Sequence, residues 1–416
     1  MFDVSEIRRD FPILSREVNG KPLVYLDNGA SAQKPQAVID AVTRGYSEEY
    51  ANVHRGLHYL SNLATEKYEA VRGITARFLG AKDEEEIVFT SGGTESNNTA
   101  IRSALQVMPG RDEVITSAVE HPAILTLCDW LEKHEGVKVH RIPVDRQGRL
   151  DIDAYRAALS EKVAIVSFMW ANNETGTIFP VDGLAELAHE VGALFHTDAV
   201  QAVGKVPIDL KTTEIDMLSL SSHKFHGPKG LGALYLRKGT RFRPLLRGGH
   251  QERGRRAGTE NAPAIIGLGK AAEMTLATMA EDGARMAALR DRLEKGLVQQ
   301  IGHCFVPGDP LDRLPNTATV AFEFIEGEAI LLKLNQAGIA ASSGSACTSG
   351  SLEPSHVLRA MDIPFTAAHG AIRFSLSRET TEADVDRVLE VMPGIISGLR
   401  EMSPFWSADG AQPDGF

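Results

Sequence analysis

Two runs between residues 193 and 224 stop abruptly on side chains that are costly to bury. Ala193-Leu194-Phe195-His196-Thr197 gives way to Asp198, and Met217-Leu218-Ser219-Leu220 gives way to Ser221-Ser222-His223-Lys224. Short apolar runs with polar residues at their C-terminal ends are what an open α/β sheet needs, because its ligands lie beyond that edge. Outward from this stretch the same pattern recurs in Glu86 to Thr90, Glu113 to Ser117 and Val163 to Trp170, with a further run from Gly232 to Leu236. Most are separated by amphipathic segments or turn residues, so the expected fold is α/β with a mostly parallel, doubly wound sheet.

A chain of 416 residues exceeds what one hydrophobic core supports, and two domains are expected. The large one spans 26–265 and the smaller, α+β, joins 1–25 to 266–416; a long helical stretch runs from beyond Asn261 to about Ile301. The tail from Ser403 to Phe416, rich in Pro, Gly, Asp and Ala, reads as loosely ordered. There is no internal repeat.

A net charge of -11 argues against a nucleic-acid partner, which leaves the basic run Arg253 to Arg256 to be explained otherwise. No apolar stretch approaches the roughly 18 to 20 residues that span a bilayer, so no membrane role is expected. The N-terminus carries Asp3, Glu6 and Asp10 and lacks the apolar segment of a signal peptide, pointing to the cytoplasm. Cys128, Cys304 and Cys347 are too widely spaced for a disulfide framework or a metal site, which suits a reducing compartment.

Each strand end offers a specific chemistry beside an ordinary structural use. Ser91 to Asn98 is a glycine-bearing turn into a helix, where Gly93 and Thr94 can cradle a phosphate, or simply start the helix. His121, in Glu120-His121-Pro122, can lie over a planar ring or merely cap the next helix. Asn173, in Ala171-Asn172-Asn173-Glu174-Thr175-Gly176, can reach a ligand or only build a turn. Asp198 can accept the N-H of a protonated pyridine and Gln201 can donate to a phenolic oxygen; alternatively Asp198 is an N-cap. Ser221 and His223 can hold a phosphate, while Lys224, among small and polar residues, can act as an amine nucleophile. Cys347 stands in Ser342-Ser343-Gly344-Ser345-Ala346-Cys347-Thr348-Ser349-Gly350-Ser351, which lacks bulky apolar residues and is expected to be an exposed, mobile loop. Cys128, in an apolar setting, reads instead as structural.

The ordered set GGTES, EHPA, ANNETGT, HTDAVQ, SSHKFHGPKG, RRAGTEN, SSGSACTSGSLEPSH and IRFSLSR resembles the class V branch of fold-type I pyridoxal-5′-phosphate (PLP) enzymes. Within it, the chain is most similar to cysteine desulfurases of the nitrogen-fixation (NifS-like) type. The likeness runs from about residue 86 to the SPFWS near the C-terminus, and the first 80 or so residues look like the Suf-type branch, as in a chimera. The resemblance implies a seven-stranded-type sheet, PLP as cofactor, L-cysteine as substrate and a homodimer. Lys224 would bind PLP covalently, Asp198 would pair with its ring nitrogen, His121 would stack on it and act in catalysis, and Gln201 would donate to its phenolate. Gly93, Thr94, Ser221 and His223 would bind phosphate, joined by Thr259 of the second subunit, which makes Arg253 to Arg256 part of an intersubunit loop. Asn173 and Arg373 would hold the substrate carboxylate, Arg373 through its guanidinium fork. Cys347 would take the sulfur as a persulfide and hand it to an iron-sulfur scaffold or a sulfur-relay protein. No resident metal is implied, although Cys347 could transiently ligate a cluster held on a scaffold.

Overall fold

A computed structural model describes residues 4–54, 56–343 and 353–406. Its main sheet contains, in chain order, β1 (Ile87–Thr90), β2 (Glu113–Ser117), β3 (Lys138–Ile142), β4 (Val163–Met169), β5 (Leu194–Asp198), β6 (Met217–Ser221) and β7 (Gly232–Leu236). In space they run β1-β7-β6-β5-β4-β2-β3. Strand β7 pairs antiparallel with β1 and β6, and the remaining pairings are parallel. Six strands therefore point the same way, bringing Thr90, Ser117, Met169, Asp198 and Ser221 to one edge.

Strands β4, β6 and β7 are buried along their whole length, as expected for strands covered by helices on both faces. The strand that sequence patterning passed over is β3. It lies at the sheet edge and is half-exposed, so Lys138, His140 and Arg141 interrupt any apolar run.

Helices α1 (Gln36–Ser47), α2 (Tyr59–Phe78), α3 (Gly93–Val107) and α4 (Pro122–Glu135) precede a 39-residue helix, α5 (Ala262–Gln300). Pro122 occupies the first turn of α4, where its missing N-H is no loss. Helix α5 serves two cores. Ile265, Leu268, Ala271 and Ala272 pack with the main sheet, whereas Met286, Leu289, Leu293 and Leu297 pack with Val320, Phe322, Ile372 and Phe374. Those last four belong to an antiparallel sheet of Cys304–Phe305, Thr317–Phe322, Ala371–Ser375 and Ser342–Ser343, in that spatial order. The N-terminal segment joins it: Val24–Tyr25 pairs in parallel with Ile339–Ala340, and Phe11, Leu14 and Leu23 form a small cluster touching Ala340.

Cys347 and most of its serine- and glycine-rich stretch lie outside the described residues, as does the chain from residue 407 on. The beginning of that stretch differs from the loop expected: Ser342–Ser343 is a short strand held against Arg373 and Ile372. No described helix is long and apolar enough to cross a membrane.

Candidate active site

A cavity of about 800 Å³ opens at the strand-end edge of the main sheet. Gly93, Thr94, His121, Asn173, Asp198, Gln201, Ser221, His223, Lys224 and Arg373 all line it, although 280 positions separate the first from the last. Thr259 does not line it and is exposed.

Lys224 follows β6 in a single 3-10 turn, Ser222–Lys224. Its Nζ donates to the carbonyls of Gly29 at 2.6 Å and Ala30 at 3.0 Å. Burial, helped by the Arg373 charge, pushes its amine down to about 8 from the usual 10.5, against the opposing pull of Asp27 and Asp198. Gln201 Nε2 donates to the same Gly29 carbonyl at 2.9 Å. His223 is held neutral, its pKa lowered to about 4 by burial and then by Lys224.

Asp198 ends β5 and is buried. Asn97 Nδ2 donates to its Oδ2 at 2.6 Å and the Val200 N-H to its Oδ1 at 3.0 Å. No helix follows; the N-cap alternative reduces to a capped turn, and lone pairs of the carboxylate remain for a further donor. His121 does cap α4, its Nδ1 accepting from the Ala123 N-H at 3.1 Å, while its ring also faces the cavity. Burial lowers its pKa despite Asp198, leaving a neutral imidazole.

The turn after β4 divides its labour. Asn172 is buried and accepts the Glu174 and Thr175 N-H groups, so it builds the turn and leaves Asn173 to line the cavity. Arg373 Nη1 donates to the Asn173 carbonyl at 2.7 Å and its Nη2 to Asp27 Oδ1 at 3.2 Å. At the start of α3, Gly92 has φ 146° and a Cβ on Gly93 would stand 2.7 Å from Val200 Cγ2. Only glycine permits that close approach, and the first N-H groups of α3, which have no intrahelical acceptors, lie at the cavity wall, where a helix start favours negative charge.

Sequence reading passed over Asp27, Gly29, Ala30, Glu174, Ser355 and His356. The first three follow Leu23 to Leu26 in the same apolar-run-then-polar arrangement as the five recognised strand ends, and that signal would have found them. Ser355 donates to the buried Glu174 carboxylate and His356 Nε2 donates to the Glu120 carbonyl at 2.8 Å.

This constellation fits PLP in its donor set: a buried carboxylate, a half-buried amine of lowered pKa and a glycine-lined helix start around one cavity. The chain belongs to the Aminotransferase class-V family, whose pattern matches residues 24–388. Within that family it is similar to a cysteine desulfurase of Gluconacetobacter diazotrophicus, 64% identical over 393 residues covering 94% of this chain and 98% of the relative. It is also 59% identical to the cysteine desulfurase NifS of Azotobacter vinelandii over 391 residues, 94% of this chain and 97% of that one. Among solved structures, a NifS-like protein superposes with a TM-score of 0.84 at 36% identity, covering 92% of this chain and 100% of the other.

Proposed function

We propose that the chain is a PLP-dependent cysteine desulfurase of the nitrogen-fixation type, which takes sulfur from L-cysteine as a persulfide on Cys347, releases L-alanine and supplies iron-sulfur cluster assembly. One observation carries this reading: Lys224, Asp198 and Arg373 converge on a single cavity in a chain 64% identical to a cysteine desulfurase.

PLP, when bound, supplies an electron sink beside the substrate's α-carbon. The remaining work falls to the protein. Lys224 would hold the cofactor and, once released, take the α-proton, a role suited to an amine whose pKa burial lowers to about 8. Asp198 would hold the ring nitrogen protonated, and Gln201 would turn its amide from Gly29 toward the phenolate. Gly93, Thr94, Ser221 and His223 would bind the phosphate. Arg373 and Asn173 would orient the substrate carboxylate, and neutral His121 would cover the ring. The Cys347 thiolate would then attack the substrate sulfur, breaking the carbon-sulfur bond.

A homodimer completes the reading. Tyr46, Tyr50, Leu57 and Tyr59 are exposed on and beside α1 and α2, apolar surface that a second copy would cover. Thr259 would enter the second copy's phosphate site, its loop steadied by an Arg256–Glu95 ion pair at 2.9 Å. The acceptor would be a cluster scaffold or relay protein in the reducing cytoplasm.

The deciding experiment is turnover of L-cysteine by the purified protein, with alanine and sulfide measured. Cys347→Ala should retain the absorbance of bound cofactor and lose persulfide formation. Undiminished turnover in that variant would overturn the assignment.

A further inference from the structure

Glu120, immediately before His121, has no part in the reading above, yet it is fully buried. Its Oε1 accepts two hydrogen bonds, from Ser117 Oγ at 2.7 Å and from the Met169 N-H at 2.9 Å. Its Oε2 is equally buried and has no partner among the described residues. No cation pairs with it among the described residues. Two donors on one oxygen and none on the other favour the neutral acid, since one unpaired hydroxyl costs less than a buried charge with no cation beside it.

The connections made by Glu120 join three elements. Ser117 ends β2 and Met169 ends β4, while the Glu120 carbonyl receives the His356 Nε2-H at 2.8 Å from the helix His356–Ala360. The next residue is His121, which caps α4 and faces the cavity.

We propose that Glu120 is a positioning residue for His121, acting as an uncharged carboxyl that clamps the ends of β2 and β4 behind the ring-binding face of the cavity. It rests on the reading that His121 covers the bound cofactor. The charged and titratable groups that face it are Asp198 at the end of β5, His121 beside it, His356 on the short helix and Cys128 on α4. Burial raises the Glu120 carboxyl to about 8, and the Asp198 charge adds to the rise. The two carboxyls thereby take different parts, Asp198 lining the cavity with lone pairs to offer and Glu120 tying strand ends together behind it.

The test compares Glu120→Gln, Glu120→Asp and Glu120→Ala holoenzymes by the pH midpoint of cofactor absorbance, the kcat/KM split and thermal melting. Glutamine can accept both donors through its carbonyl oxygen and adds no charge, so Glu120→Gln should keep the wild-type midpoint. Glu120→Asp and Glu120→Ala, which withdraw the clamp, should lower kcat by up to about a hundredfold, the cost of misplacing a group that covers the ring, with KM less affected. A charged role predicts the reverse: Glu120→Gln would lose a negative charge near the ring and its midpoint would fall. A fallen midpoint, or loss of kcat in Glu120→Gln equal to that in Glu120→Ala, overturns the proposal. Should Glu120→Ala fail to fold, Ser117→Ala removes one arm of the clamp and should lower kcat in the same direction; an unchanged kcat there also overturns it. Wild-type protein that shows no cofactor absorbance would instead sink the underlying reading of the site.

Discussion

Arg373 donates to Asp27 across 3.2 Å, joining a strand near the C-terminus to a loop near the N-terminus at the wall of the cavity. Its Nη1 meanwhile holds the Asn173 carbonyl, so the guanidinium is fixed in plane before any substrate arrives. Pre-orientation of this kind favours a bidentate grip on a carboxylate. Arg373→Lys retains the charge but loses the fork, and KM for L-cysteine should rise about tenfold to a hundredfold, the equivalent of about 1.5–3 kcal/mol for charged hydrogen bonds. Steady-state kinetics checks this, with kcat changing less than KM.

Lys224 gives a pH prediction whose sign is fixed by burial. Its folded pKa of about 8 lies below the ordinary lysine value, so burying the ammonium form opposes folding. That penalty is fully present below about pH 8 and disappears as pH rises past 10.5, where the unfolded chain is neutral too. In cofactor-free protein, Lys224→Met should therefore raise stability at pH 7 by about 1–3 kcal/mol, and the gain should fade between pH 8 and 10.5. Denaturant titrations across that range measure it. The same variant should show no lysine-dependent cofactor absorbance.

Much of this site was legible because burial makes polar residues conspicuous. Asp198 and the Ser221-to-Lys224 segment stand out as they interrupt apolar strands, and α5 is legible as a long stretch broken by few turn signals. Edge strand β3 was not legible, since one exposed face admits Lys138, His140 and Arg141 and erases the apolar run. The tertiary partners were also hidden. Nothing local to Asp27 announces Arg373, and nothing near Glu174 announces Ser355, because those contacts depend on how the two cores are brought together. His121 shows a different limit: its capping and cavity-facing roles coexist, so weighing one against the other posed a false choice.

Away from the chemistry, Arg72 and Glu252 form a buried pair, with Arg72 Nη1 and Nη2 each 2.9 Å from a Glu252 oxygen. Tyr68 donates to the same carboxylate, as does the Phe89 N-H at 2.8 Å. Glu252 and Arg253 both occupy left-handed backbone, at φ 50° and 57°, so this pair holds an uncomfortable turn leading toward Thr259. Removing one partner leaves the other buried and uncompensated. Arg72→Met should destabilise the protein by about 3–5 kcal/mol in chemical denaturation, and pairing it with Glu252→Gln should recover part of that loss.

Glu174 and Ser355 supply the last prediction. Ser355 caps the helix His356–Ala360 through the Val357 N-H at 3.1 Å while its hydroxyl donates to the buried Glu174 carboxylate. Burial raises the Glu174 carboxyl to about 7, with Ser355 and Arg373 pulling the other way. An acid raised in the folded state loses stability as pH climbs from its unfolded value near 4.5 to its folded value near 7, and the loss then stays constant. Glu174→Gln keeps an acceptor for Ser355 without the charge. It should therefore match the wild type near pH 4.5 and be more stable by about 1–3 kcal/mol at pH 8, discounting for hydrogen bonds the carboxylate already accepts. Ser355→Ala should do the opposite at pH 8, costing about 1–3 kcal/mol by leaving a buried carboxylate oxygen without its donor and the helix without its cap. Thermal melts of both variants at the two pH values separate these outcomes, and a Glu174→Gln protein no more stable than wild type at pH 8 would mean that Glu174 is ionised at little cost.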